Sequence, residues 1–288
     1  MIIWALLDGK KGHYVQLSAL IDAMTCTLDA EVSWFPKNKI PDIRNYAKPD
    51  LIICAGHGTH LKALIFRAIF GGRVAVLMKP SLPLTWFDFC ITPEHDRLTG
   101  RDNVLSTVGP INSLSPDCKD KELPDVVFLG GYSKRFYWDE FKINLYIENI
   151  VSISERELWV VGSRRTPAST LKMLNETKKT LQVPMRVFSA NDLPSDWVST
   201  KLPKLEKIWV TQDSANMIYE GLTVKACVGL IPLKPRGKGK LSSSLNELIK
   251  EKWVRCATLD GEPLSCSTLS PPSLKEANRA AAWLISKL

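Results

Sequence analysis

Residues 159–170, WVVGSRRTPAST, set two adjacent arginines between the end of an apolar run and a helix-like segment. Thr166 suits a helix N-cap and Pro167 the first helical position, so the stretch predicts a strand that turns directly into a helix. Free backbone N–H groups and the helix dipole favour an anion at such a junction, and guanidinium forks match phosphate oxygens. Ser163, Arg164, Arg165 and Thr166 are therefore candidate phosphate contacts. The plain alternative is a solvated or salt-bridged pair of surface arginines. Placement at the carboxyl end of a parallel strand, where open α/β sheets bind ligands, tips the reading towards phosphate.

A second junction is IWVTQDSANMIYEGL, residues 208–222. Asp213 or Ser214 can cap the helix, and Glu220 lies about two turns beyond Asp213 on roughly the same face. A carboxylate there can accept hydrogen bonds from two neighbouring ribose hydroxyls, whereas capping by Asp213 and a solvated Glu220 is the ordinary alternative. In LLDGKKGHYVQ, residues 6–16, Gly9 and Gly12 permit a tight turn, and Asp8 and His13 at its mouth are candidate general bases. Their ordinary alternative is a turn cap and a surface histidine. Glu94, His95 and Asp96 form a dense titratable group after the run FDFCI, equally open to function and to simple solvation. In AGHGTH, Gly56 and Gly58 begin like a dinucleotide fingerprint, but Leu61 stands at the third glycine position and no acid follows at the expected spacing, which argues against NAD. The same absence counts against an NAD-dependent nucleotide-sugar epimerase. No P-loop, H-E-x-x-H, G-x-S-x-G or D-x-D motif occurs, so the sequence calls for neither a metal nor another bound cofactor. The basic stretch KPRGKGK, residues 234–240, can touch phosphates or a membrane surface, with a mobile solvated loop as its default. Basic residues interleaved with aromatics over a long stretch, the mark of nucleic-acid binding, are absent.

These residues need a frame. Nine apolar runs of strand length recur, from MIIWALL to ACVGLIPL, with helical spacing between many of them, such as Leu17, Leu20, Ile21 and Met24. Alternating strands and helices predict parallel α/β architecture. A polar, proline-containing stretch at 112–125 interrupts the pattern, which divides the chain into a first half, 1–120, and a second half, 124–271. The end, PPSLKEANRAAAWLISKL, opens on a capping box of Ser273 with Glu276 and predicts a terminal helix over 272–288 packing back on the first half. The 288 residues, 45% apolar, supply ample core. No run is long enough for a membrane span and no secretory signal precedes the first strand, so the expected location is cytoplasmic. The seven cysteines lack a C-x-x-C pair and read as reduced packing residues. A net charge of +8 favours anionic partners.

Taken in order, WALLDGKKGHYVQ, DLIICAGHGTH, FDFCITPEHD with NVLSTVGPIN, GSRRTP and QDSANMIYE resemble the elongated-mitochondria (mitochondrial fission) family, over nearly the whole chain. That family is similar to glycosyltransferases of the GT-B type. The resemblance implies two Rossmann-like domains facing a cleft, with the C-terminal helix crossing back to the first domain. It implies a metal-independent transfer of a sugar from a nucleotide-sugar donor to an acceptor hydroxyl. In that reading Ser163, Arg164, Arg165 and Thr166 hold the diphosphate, and Asp213, Ser214, Met217 and Glu220 line the nucleoside end. Asp8 is the first candidate base, His13 the second, Glu94 or His95 the third; Lys10, Gly12, Gln16, His57 and Lys79 face the acceptor. A cell-envelope glycan or glycolipid, such as lipopolysaccharide core, fits as acceptor, with the basic surface at the inner face of an anionic membrane. The rival reading is a non-catalytic scaffold that kept the fold.

Overall fold

A computed structural model describes residues 1–37, 46–96, 98, 100–115, 124–181, 184–237, 240–260, 264–265, 269 and 274–288, with the side chains of His95 and of residues 240–242 outside the description. The chain divides into two compact units: Met1–Ser113 with Lys275–Leu288, and Leu114–Leu274.

Unit 1 carries six parallel strands, β1 (Ile2–Leu7), β2 (Glu31–Pro36), β3 (Leu51–Ala55), β4 (Arg73–Leu77), β5 (Phe89–Pro93) and β6 (Val104–Thr107), in the order β2-β1-β3-β4-β5-β6. Strands covered on both faces read as continuous apolar runs, as IIWALL and LIICA do. Successive residues still serve opposite faces: Ile3 and Ala5 join the core under α1 (Lys11–Thr25), and Trp4 and Leu6 the core under α2 (His57–Phe70).

Unit 2 carries β7 (Asp125–Leu129), β8 (Leu158–Gly162), β9 (Met185–Phe188), β10 (Lys207–Thr211), β11 (Cys227–Ile231) and β12 (Val254–Cys256), also all parallel, in the order β12-β11-β10-β7-β8-β9. Between them run α3 (Glu140–Ser152), α4 (Ala168–Thr177), α5 (Trp197–Lys201), α6 (Ala215–Thr223) and α7 (Lys240–Lys250). The last helix, α8 (Glu276–Lys287), returns to unit 1, where Ala277, Ala280, Ala281 and Leu284 enter the α1 core. Two parallel six-stranded sheets with helices make this an α/β protein of the GT-B kind.

Some local expectations change. Ser273 lies outside the described residues, and Glu276, instead of completing a capping box, accepts a hydrogen bond from the Val108 N–H at 2.8 Å. That bond ties the start of α8 to the loop after β6. Cys227 is disulfide-bonded, so the reading of seven thiols fails there; Cys118 and Cys266 lie outside the described residues. Cys26, Cys54, Cys90 and Cys256 are free. No helix among the described residues is long and apolar enough to cross a membrane.

Candidate functional site

In an open parallel sheet the strand order reverses at one place, and the loops leaving the strands on either side diverge there to leave a crevice. Unit 2 reverses between β7 and β10, and unit 1 between β1 and β3. The sequence-predicted residues that the structure brings together lie at these two points.

At the unit 2 point, Gly130 and Gly131 follow β7. The Gly130 N–H donates to Thr211 Oγ1 at 2.7 Å and the Gly131 N–H to Asp213 Oδ2 at 3.1 Å. Thr211 in turn donates to Asp213 Oδ1 at 2.8 Å. From the other side, Ser163 Oγ and Thr166 Oγ1 both donate to the Gly130 carbonyl, at 2.6 and 2.5 Å, and Thr166 Oγ1 accepts from the Ser163 N–H at 2.8 Å. Three loops are thereby laced together. Neither glycine tolerates a side chain, since a Cβ on Gly130 would strike the Asp213 carboxylate and one on Gly131, at φ +154°, the Arg165 carbonyl.

This lacing reassigns the caps. Pro167, not Thr166, stands at the N-cap of α4, and Ser214 precedes α6 without a side-chain cap bond. Asp213 is spent on the loops and on Arg165, whose Nη1 sits 2.7 Å from Oδ2; the carboxylate is 0% exposed. Arg165 also reaches Ser214 Oγ at 3.3 Å and the Tyr132 carbonyl at 3.4 Å. Arg164 is exposed and makes no ion pair among the described residues. Of the two arginines, one is thus built into the frame and the other is available, beside the uncapped N–H groups of α4. On α6, Met217 and Glu220 are half-buried. Burial alone pushes the Glu220 carboxyl up to about 7.

At the unit 1 point, Asp8 Oδ2 lies 2.8 Å from His13 Nδ1, and Asp8 Oδ1 accepts the Lys10 N–H at 3.0 Å. Burial pushes the Asp8 carboxyl up, but the Lys10 N–H, the His13 hydrogen bond and the nearby charges outweigh it and hold the group below its ordinary value. Gly56, at φ +92° after β3, makes room for the pair: a Cβ would strike Asp8 Oδ2 and His13 Nδ1. His57 is exposed at the start of α2, its ring 5.7 Å from that of His60. His60 is buried, takes the Ser81 N–H on Nδ1 at 3.2 Å, and stays neutral because burial drives its pKa down to about 4. Its Nε2 is buried without a partner among the described residues. Lys10, Gly12 and Lys79 are exposed, whereas Gln16 belongs to the buried face of α1.

Glu94 is not at this point. It stands in the short turn Glu94–Asp96 after β5, two strands from β3 and so about 10 Å along the sheet. The side chain of His95 lies outside the described residues. Among the described residues no group of three or more His, Cys, Asp or Glu is placed to hold a metal ion. The stretch at 234–240 is not simply solvated at its start: the Arg236 N–H donates to the Arg135 carbonyl at 2.8 Å, and its guanidinium lies 4.2 Å from the Tyr137 ring centroid. Residues 238 and 239 lie outside the described residues. Sequence reasoning missed Gly130, Gly131 and Thr211 as parts of a site and took Gly56 only as the start of a dinucleotide fingerprint; a glycine pair directly after an apolar run was the available signal for the first two.

Among solved structures, MurG of Acinetobacter baumannii matches with TM-score 0.60 and 10% identity over 99% of this chain and 98% of that one. A putative UDP-N-acetylglucosamine 2-epimerase of Listeria monocytogenes matches with TM-score 0.66 and 9% identity over 99% and 95%. The UDP-GlcNAc 2-epimerase of Methanocaldococcus jannaschii matches with TM-score 0.57 and 13% identity over 99% and 100%. At such identities the fold alone is shared. That fold houses both glycosyltransferases and epimerases. The uncharacterized protein RP120 of Rickettsia prowazekii (strain Madrid E) is 30% identical over 138 residues, covering 41% of this chain and spanning 38% of that protein's length. The profile of the family described as mitochondrial fission ELM1 matches residues 10–288, and the chain belongs to that family.

Proposed function

We propose that the protein transfers a sugar from a nucleotide-activated donor to an acceptor hydroxyl. The observation that carries this reading is the placement of an anion-suited junction and an aspartate–histidine pair at the two points where parallel sheets open a crevice. In unit 2, Arg164 and the first N–H groups of α4 meet the diphosphate, and Arg165, locked to Asp213, holds the loop that presents them. Ser214, Met217 and Glu220 take the nucleoside end, Glu220 accepting from the ribose hydroxyls.

In unit 1 the base is His13, with Asp8 as its orienting partner. A carboxylate held below its ordinary value accepts a proton poorly, but its bond to Nδ1 keeps the proton there and leaves Nε2 as acceptor. The acceptor oxygen bonds to the anomeric carbon, its proton passes to Nε2, and the bond to the donor phosphate oxygen breaks with its electron pair leaving on the diphosphate. The charge gathering there is what Arg164 and the helix-start amides stabilise. Lys10, His57 and Lys79 flank the acceptor, for which a cell-envelope glycan or glycolipid fits the basic surface.

Thermal shift with uridine, guanosine, adenosine and cytidine diphosphates, followed by product analysis with the sugar donor of the nucleotide that binds, tests this reading. A raised melting temperature and acceptor-dependent release of nucleoside diphosphate are expected. Conversion of the donor sugar without an acceptor would assign an epimerase instead. Binding with no turnover would assign a scaffold, and no shift with any nucleotide overturns the proposal.

A further inference from the structure

At the carboxyl end of the unit 2 sheet, the loops that follow β7 and β11 are tied to each other. The Arg236 N–H donates to the Arg135 carbonyl and the Tyr137 N–H to the Lys234 carbonyl, both at 2.8 Å, and Phe136 pairs with Pro235 in an isolated antiparallel bridge. This bridge is anchored to the junction of Asp213 and Arg165 from both sides. The Leu233 N–H donates to Gln212 Oε1 at 3.1 Å, one residue before Asp213, and the Tyr132 N–H donates to the Arg165 carbonyl at 3.3 Å. Three residues of chain span at most about 10 Å, so Arg135 stands no farther than that from Tyr132.

The bridge is basic, and no acid answers it. Lys134, Arg135, Lys234 and Arg236 are exposed, and none of them forms an ion pair among the described residues. Neither 130–138 nor 221–246 contains an Asp or Glu. The acids that follow the first loop have other partners: Asp139 accepts the Lys142 N–H at the start of α3, and Glu140 accepts from Ser169 Oγ. Arg236 is firmly placed, because its Nε donates to the Phe136 carbonyl at 3.2 Å and its guanidinium lies 4.2 Å from the Tyr137 ring centroid. Both of its Nη groups are left to donate. The Lys234 ammonium is 5.8 Å from the centroid of the same ring. Two cations held at one ring repel each other, and an anion between them offsets that cost.

We propose that this bridge is a second anion site of unit 2, and that the donor is a nucleotide sugar whose sugar carries a carboxylate. The inference rests on the transfer reading above: with the diphosphate at α4 and the nucleoside along α6, the loops after β7 and β11 are those left beside the junction for the sugar. A neutral sugar calls for hydroxyl partners. The bridge offers guanidinium forks, which match a carboxylate.

Calorimetric binding of uridine diphosphate glucose and uridine diphosphate glucuronic acid, which differ by a hydroxymethyl group against a carboxylate, tests it; the guanosine diphosphate pair, mannose and mannuronic acid, serves if guanosine is the nucleoside bound. The wild type is expected to bind the acidic conjugate about tenfold tighter, less so as salt rises. Arg135→Ala with Arg236→Ala is expected to abolish this preference and leave the affinity for the nucleoside diphosphate itself unchanged. Should that variant not fold, Arg135→Glu, which keeps the backbone bridge and the Arg236–Tyr137 contact, is expected to reverse the preference towards the neutral sugar. Lys178→Ala with Lys204→Ala, two exposed bases at the opposite end of the sheet, is expected to change nothing. A nucleoside diphosphate that binds while both conjugates bind alike overturns this inference and leaves the transfer reading in place. So does a preference that Arg135→Glu keeps or that the Lys178 and Lys204 variant removes. No binding of any nucleoside diphosphate overturns both.

Discussion

At the scale of single residues, two adjacent arginines have opposite duties. Arg164→Ala removes an exposed charge with no partner among the described residues, so nucleoside diphosphate affinity is expected to fall about tenfold with the melting temperature unchanged. Arg165→Ala removes the charged partner of the buried Asp213 carboxylate, which keeps only the Gly131 N–H and the Thr211 hydroxyl, and stability is expected to drop by about 2 kcal/mol with the melting temperature. Asp8→Asn has a pH signature. Because the folded value of Asp8 lies below the ordinary 3.8, its ionised form contributes stability that is present above that pH and lost as pH falls through the folded value. The gap in melting temperature between wild type and Asp8→Asn is therefore expected at neutral pH and should close in acid, with turnover reduced throughout. Glu220 has the reverse sign. Its raised value means that folding disfavours the carboxylate, so stability falls as pH rises from 4.5 to about 7. Glu220→Gln is expected to melt higher than wild type above pH 7 and equally at pH 4.5, and to weaken nucleotide binding. Melting curves across pH check both signs.

At the scale of elements, the strands that were not legible all lie at sheet edges, where of the four edge strands only β9 had an apolar run. The nine apolar runs all formed strands, and the three strands without such a run, β2, β6 and β12, are edge strands. An edge strand has a neighbour on one side only, and EVSWFP, VLST and VRC are correspondingly mixed or short. Helix caps were less legible, because Thr166, Asp213 and Glu276 each found a partner distant in sequence that competed with the local N–H groups. Gly56 shows what such a distant partner demands. Its left-handed backbone and the Asp8–His13 pair beside it exclude a Cβ, so Gly56→Ala is expected to cost about 2 kcal/mol or more and to lower turnover by displacing the pair. Denaturant melts alongside steady-state rates measure both parts.

At the scale of the molecule, the C-terminal helix belongs to the unit that the N-terminus begins. Ending the chain after Leu274 removes Ala277, Ala280, Ala281 and Leu284 from the α1 core and the Glu276 acceptor from Val108. Such a truncation is expected to show a separate early transition in calorimetry, at least about 10 °C below the full chain, as unit 1 loses its cover. Read by itself, the sequence determined the α/β class, nine of the twelve strands among the described residues, the returning helix and the family, because buried parallel strands and amphipathic helices write their periods into adjacent residues. It also singled out Asp8, His13, Arg164, Arg165 and Asp213, which the structure places at the two junctions, since arginines and acids at strand ends are local signals, but not Gly130, Gly131 or Thr211. Only the tertiary structure decided their surroundings: that Arg165 and not Arg164 pairs with Asp213, that Asp8 is hydrogen-bonded to His13, and that Glu94 stands two strands away. Those facts depend on which strands lie side by side, and strand order is set by the packing of segments more than a hundred residues long, which no short stretch of sequence records.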